Sequence, residues 1–268
     1  RLLERFGYKV GIIPQPDWKN LSSFRVLGKP RLAFLVNSGN IDSMVNHYTV
    51  FKNKRRSDAY SPGGKAGLRP DRAVTVYSNR IREAYKDVPV IIGGIEASLR
   101  RFSHYDYWSD SVKRSVLLDS GADLLVYGMG EKALIEIAQA LESGIPIEEI
   151  TFVNGTVYKT KDRDRPYSPI FLPSYNEVVS SKKKFGDSFK IQYENTDSKS
   201  AGTLVEQYDT VYVVQNPPME ILSQQELDDI YDMDYTMNYH PMYKNSGIPA
   251  LNEVKFSITS TRGCFGGC

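Results

Sequence analysis

The stretch A-D-L-L-V-Y-G-M-G-E-K-A-L-I-E-I-A-Q-A-L-E-S-G, residues 122–144, decides the fold class. It opens with an apolar run of strand length, residues 122–127, that stops at Gly128. From Glu131 onward Leu134, Ile135, Ile137, Ala138 and Leu141 recur at the three- and four-residue steps of an amphipathic helix, and Gly144 supplies the stop. A buried strand, a glycine turn and a helix, in that order, form the repeating unit of a parallel α/β sheet. Gly128-x-Gly130-x-x-Ala133 has the strand–turn–helix context of a dinucleotide fingerprint. Its acidic candidates, Glu148 and Glu149, fall before the next strand rather than at its end, so the motif reads as a plain tight turn before it reads as a fingerprint.

The same unit recurs on the N-terminal side. Residues 8–14 (Y-K-V-G-I-I-P), 31–36 (R-L-A-F-L-V) and 88–92 (V-P-V-I-I) read as further strands, and an isoleucine-rich strand is expected at 150–153. Helices are expected over 71–86, with Val74, Tyr77, Ile81 and Ala84 on one face, and over 109–120, with Val112, Val116 and Leu117. Residues 1–155 therefore read as a doubly wound, Rossmann-like parallel sheet. Its strands end in Asn37-Ser38-Gly39, Gly93-Gly94 and Gly128-Met129-Gly130, which should line one ligand-binding rim.

Periodicity weakens after that. Residues 156–250 carry charge runs and Pro166, Pro169 and Pro173, and read as an irregular connector or small subdomain. Within it 210–214 (T-V-Y-V-V) is strand-like, and Ser223 with Glu226 makes a capping box for a helix reaching about Tyr231. In 251–268, alternation of Val254, Phe256 and Ile258 predicts a strand over 254–259 that feeds Arg262-Gly-Cys-Phe-Gly-Gly-Cys268.

Composition sets bounds. With 41% apolar residues in 268 the chain can bury a core, and a net charge of +2 by itself asks for no polyanionic partner. No apolar run has membrane length and R-L-L-E-R-F-G is no signal peptide, so no membrane partner is expected. Cys264 and Cys268 are the only two cysteines, which excludes a disulfide framework and points to a reduced, cytoplasmic compartment. The opening at Arg1, inside what reads as a helix turn, and the stop at Cys268 read as a portion cut from a longer chain at both ends.

Cys264 and Cys268, with three residues between them in a glycine-rich loop, are candidate iron–sulfur ligands, because thiolates are what such clusters bind. A zinc site would want C-x-x-C spacing and further partners; a pair of unligated surface cysteines is the bland alternative. T-S-T-R-G-C-F-G-G-C (259–268) resembles the start of the C-x-x-x-C-x-x-C signature of radical SAM enzymes. P-Q-P-D-W (14–18), P-G-G-K-A-G-L-R-P-D-R-A (62–73), G-G-I-E-A-S-L-R-R-F-S-H-Y-D-Y-W-S-D (93–110) and L-L-V-Y-G-M-G-E (124–131) resemble the YgiQ-type family within that superfamily. The resemblance implies that 251–268 begins a partial TIM barrel and that Cys264 and Cys268 bind two irons of a [4Fe–4S] cluster. A third cysteine would fall three residues after Cys268. It also implies S-adenosylmethionine as the other cofactor, hydrogen abstraction from a substrate, and an electron donor such as flavodoxin or ferredoxin.

A sheet domain ahead of a radical SAM domain is similar to a cobalamin-binding module, but the D-x-H-x-x-G ligand motif is missing: Asp42 and His47 stand at the wrong spacing. Glu96, Arg100, Arg101, His104, Gly128 and Gly130 form the candidate substrate or ligand rim, dense in groups that bind polar molecules or move protons. Hydrogen-bonded structure is the plain alternative for each, and for His240 in Y-H-P-M-Y. Lys52, Lys54, Arg55, Arg56, Lys65, Arg69 and Arg72 crowd a segment that reads as a solvated basic loop or as an anion or RNA contact. Three functions remain open: a radical SAM enzyme, a non-catalytic module that binds cobalamin without a histidine ligand or another small ligand, and an RNA-binding or RNA-modifying protein.

Overall fold

The computed structural model describes residues 1–259 and residue 262. Its strands are β1 (Phe34–Val36), β2 (Val90–Ile92), β3 (His104–Asp106), β4 (Ser111–Lys113), β5 (Leu124–Val126), β6 (Thr156–Thr160), β7 (Ile170–Phe171), β8 (Leu204–Tyr208) and β9 (Val211–Gln215). Seven of them form one sheet in the order β1-β2-β5-β6-β9-β8-β7, and β3 and β4 pair separately as an antiparallel hairpin. β1, β2 and β5 run parallel; β6, β9 and β8 join them antiparallel, and β7 lies parallel to β8 at the edge. The fold is mixed α/β.

Strand residues divide by alternation between two apolar layers. Val90, Ile92, Leu125, Val157, Leu204 and Val213 pack on the side of the helix Ala73–Ala84, through Val74, Tyr77 and Ile81. Ile91, Leu124, Val126, Tyr158, Val205 and Val214 pack on the side of the helix Glu131–Glu142, through Ala133, Ile137 and Ala140. With both faces covered, the central strands have no polar side, which is why β2 and β5 read as unbroken apolar runs. Each fully buried Ile or Leu here contributes roughly 1.5–3 kcal/mol.

The structure corrects several expectations. The sheet is not parallel throughout. Residues 156–215, expected as an irregular connector, hold β6 to β9, which hydrogen-bond directly onto the parallel strands. Residues 8–14 form no strand, and Val10 and Ile12 are exposed. Residues 150–153 form none either, although Ile150 and Val153 enter the core as single anchors.

The helix expected over 109–120 is instead β4 followed by the short helix Val116–Asp119. There the Asp106 carboxylate accepts the Ser109 amide at 3.0 Å and Asp110 takes a φ of 50°, which turns the chain back into a hairpin. Val254 ends a short helix, Leu251–Val254, and no strand forms over 254–259. Alternation makes a strand only where a neighbour supplies backbone partners, and none lies alongside among the described residues. The cysteine loop lies outside the described residues, so the expected barrel entry is not seen. No helix among the described residues is long and apolar enough to cross a membrane.

Candidate functional site

The helix Gly94–Leu99 leaves β2 directly and carries Glu96 inward, 1% exposed. The Glu96 carboxylate accepts the Ser43 amide at 2.8 Å and the Val74 amide at 2.9 Å. Those amides begin the helices Ser43–His47 and Ala73–Ala84, whose first N–H groups have no partner within their own helix. Asp42 caps the first of these through the Met44 amide at 2.9 Å, and its other oxygen pairs with Arg100. One carboxylate thus ties two helix starts to the end of β2, and a second holds Arg100 in place.

Above this floor lies a cavity of about 380 Å³, walled by Arg72, Glu96 and Arg100 from the helical side and by His104, Ser109 and Lys113 from the hairpin. His104 and Lys113 are cross-strand partners in β3 and β4, which puts both side chains on one face. Arg72 is anchored on buried Asp106 at 2.7 Å. Burial alone would push the Asp106 carboxyl up, but the Ser109 hydroxyl and amide and the Arg72 guanidinium hold it below its usual range. Burial lowers the His104 imidazole, which is therefore neutral near pH 7. Its Nδ1 faces the Phe102 carbonyl at 3.2 Å, an oxygen that can only accept, so Nε2 keeps the lone pair.

Three of the six rim candidates, Glu96, Arg100 and His104, meet in this cavity, and three do not. Arg101 turns the other way: it donates to Gln215 at 2.6 Å and to the Ser98 carbonyl at 2.8 Å, and its guanidinium lies 5.3 Å from the centre of the Tyr127 ring. Among the described residues it has no carboxylate partner. Gly128 donates its amide to the Ser98 hydroxyl at 3.3 Å, and Gly130 caps the helix Glu131–Glu142. Arg262, two residues before Cys264, reaches this same turn. It pairs with Glu131, donates to the Tyr231 hydroxyl at 3.3 Å and stacks over that ring at 5.3 Å.

The remaining candidates separate. Arg69 is buried in a two-pronged ion pair with Asp58 and donates to the Ser38 carbonyl, so it holds loops together. Lys52, Lys54, Arg55 and Arg56 stay exposed around Phe51, itself 82% exposed. Asp42 and His47 do not meet: His47 is buried, with Nδ1 at 2.7 Å from Asp71. His240 is exposed and caps its own turn through the Met242 amide. Cys264 and Cys268 lie outside the described residues, and among the described residues no three His, Cys, Asp or Glu side chains gather to hold a metal. Lys113 and the Arg262 anchor escaped the reading of the sequence. The only local signal for Lys113 was the D-x-x-S turn at Asp106 followed by a short alternating run.

Comparison with known proteins agrees with these motifs. A family model described as Radical SAM N-terminal matches residues 1–257. A UPF0313 protein of Clostridium botulinum is 58% identical over 269 residues, covering 100% of this chain and 42% of that protein. A UPF0313 protein of Clostridium perfringens is 55% identical over 270 residues, covering 100% of this chain and 41% of that protein. The chain therefore spans about two fifths of the length of these relatives. No solved structure matches it.

Proposed function

The chain belongs to the Radical SAM N-terminal family, and from that premise we propose that its α/β sheet serves a radical SAM reaction whose [4Fe–4S] cluster starts at Cys264 and Cys268. When bound, such a cluster supplies one-electron cleavage of S-adenosylmethionine and, through it, hydrogen abstraction from a substrate. The observation that carries the reading is the anchoring of Arg262 on Glu131 and Tyr231, at the turn that follows β5. The residue that leads into the cysteine loop is thereby tied to the carboxyl end of a buried strand, where open α/β sheets hold their ligands.

The chain's own residues would do four things. Cys264 and Cys268 offer thiolates, the donor type an iron–sulfur cluster takes, and the signature asks for a third three residues on. Arg262 fixes the loop's entry point. The half-buried Arg101 guanidinium, without a carboxylate partner among the described residues, places a positive charge near the Gly128 turn. The apolar packing of Val126, Ala133 and Leu134 under that turn keeps water from its inner side. A flavodoxin- or ferredoxin-type donor is the partner that this chemistry requires.

The test is anaerobic reconstitution of the full-length protein with iron and sulfide. The expected product is brown, holds about four irons, and converts S-adenosylmethionine to 5′-deoxyadenosine under reduction; Cys264→Ser and Cys268→Ser abolish both. A colourless protein that leaves the sulfonium intact would overturn the proposal and leave a non-catalytic ligand module. Exposed Phe51 among Lys52, Lys54, Arg55 and Arg56 favours RNA as a second reading, namely an RNA substrate held at that loop. RNA affinity should then fall steeply with salt and with the Arg55→Ala/Arg56→Ala pair; indifference to both removes it.

A further inference from the structure

We infer that the cavity between the helix Gly94–Leu99 and the β3–β4 hairpin binds a small molecule bearing a phosphate or carboxylate group, held by Arg72, Arg100 and Lys113. The argument is a balance of hydrogen-bond donors against acceptors. Two carboxylates line the cavity. Glu96 accepts one helix amide on each oxygen, and Asp119 takes both Arg114 bonds, at 2.6 and 3.0 Å, on Oδ1, so Oδ2 is the single carboxylate oxygen there without a partner among the described residues. More donors are left over on the cations. Arg100 uses only Nη1, on Asp42 and the Glu96 carbonyl, and Arg72 uses only Nη2, on Asp106. Their remaining guanidinium nitrogens and the Lys113 Nζ have no hydrogen-bond partner among the described residues, and none of them is sealed in the interior.

Two guanidinium forks and an ammonium around one space of about 380 Å³ match the oxygens of a phosphate or carboxylate. That volume is in the range of small-molecule sites. The arginines are held from behind by Asp42 and Asp106, so their positions are set before a ligand arrives. His104 adds a constraint of another kind. It lines the cavity, and with Nδ1 donating to the Phe102 carbonyl its Nε2 is the nitrogen left to accept a hydrogen bond, which would favour an anion that carries a hydroxyl: a singly protonated phosphate, or a hydroxy acid.

This site uses neither thiolate nor cluster, so it stands or falls separately from the radical chemistry. The experiment is calorimetric titration and thermal melting of the full-length protein with inorganic phosphate in one arm and malate in the other. Saturable binding is expected in at least one arm, with a melting midpoint raised by roughly 3–5 °C at saturation. Binding of phosphate alone assigns a phosphorylated ligand; binding of malate alone assigns a hydroxycarboxylate. The Lys113 side chain makes no hydrogen bond or ion pair among the described residues, so Lys113→Gln should fold normally and weaken binding about tenfold, which is about 1.4 kcal/mol. Lys184→Gln, on an exposed helix, is the control and should change nothing. Absence of saturable binding in both arms, or equal affinity in the wild type and Lys113→Gln, overturns the inference.

Discussion

In the parallel half of the sheet, β1 (F-L-V), β2 (V-I-I) and β5 (L-L-V) contain nothing polar, and the polar side chains gather beyond the strand ends. In the antiparallel half, polar groups are built into the strands themselves: Thr156, Thr160, Glu206 and Gln215 are all buried. The difference follows from what flanks each strand. A parallel strand buried on both faces has no place for a polar side chain, so partners for helix amides and ligands sit in the loops. The antiparallel strands are served by one segment that leaves the parallel half. Arg101 donates to Gln215, the Ser103 amide donates to Glu206, and between them Phe102 is 2% exposed in the core. Arg100, one residue earlier, faces the cavity. Four consecutive residues therefore couple the site to the scaffold.

The hardest test of that division is Glu96→Ala. It strips acceptors from two buried amides, each worth about 1–3 kcal/mol when orphaned, so a loss near 4 kcal/mol is expected in urea denaturation. A loss under about 1 kcal/mol would mean that the helix starts do not depend on this carboxylate. A pair of glycines separates scaffold from site at a smaller scale. Gly94 has a φ of +78° with the Asn37 Cβ 3.2 Å from where its own would stand; Gly155 has a φ of +73° with the Met219 Cβ at 3.0 Å. Alanine at either should cost about 1–2 kcal/mol. Only Gly94→Ala should also weaken anion binding, because Gly94 starts the helix that carries Glu96 and is capped by Arg100. Equal effects on binding from the two would erase the distinction.

The parallel half was legible in the sequence because its signals are local. The run at 122–127 is buried on both faces, Glu131–Glu142 shows its helical period directly, and the Ser223–Glu226 box caps its helix as the spacing requires. The antiparallel half was legible only at 210–214, which read as a strand and is β9 (Val211–Gln215); the evidence for β6, β7 and β8 is non-local. L-V-E-Q-Y reads as polar until the Ser103 partner of Glu206 is known, and that partner is 103 residues away. The hairpin misled for a different reason: Val112, Val116 and Leu117 fit a helical face, and a single side-chain turn at Asp106 outweighs them. Of the rim candidates, Glu96, Arg100 and His104 line one cavity, while Arg101, Gly128 and Gly130 lie elsewhere. Adjacent residues on one short segment face opposite ways, and no periodicity records that.

The finest expected effect is a difference in the sign of pH dependence between the halves. Burial pushes the Glu206 carboxyl above its ordinary value of 4.5, although the Ser103 hydroxyl, Tyr208 and the Ser103 amide pull the other way. The folded protein therefore holds that proton more tightly than the unfolded chain does. Glu206 contributes stability that is fully present below pH 4.5 and is lost as pH rises through its raised folded value, at about 1.4 kcal/mol per pH unit inside that window. At the rim, Asp106 lies below its ordinary 3.8, so its contribution is present above that pH and is lost as pH falls. Denaturant titrations between pH 3 and pH 7 should show Glu206→Gln flattening the decline on the high side and Asp106→Asn flattening the loss on the acid side. If Glu206→Gln instead flattened the acid side, the buried carboxyl would be one that folding ionises. The antiparallel half would then handle charge as the rim does, and the contrast between buried strand and open strand end would have no electrostatic content.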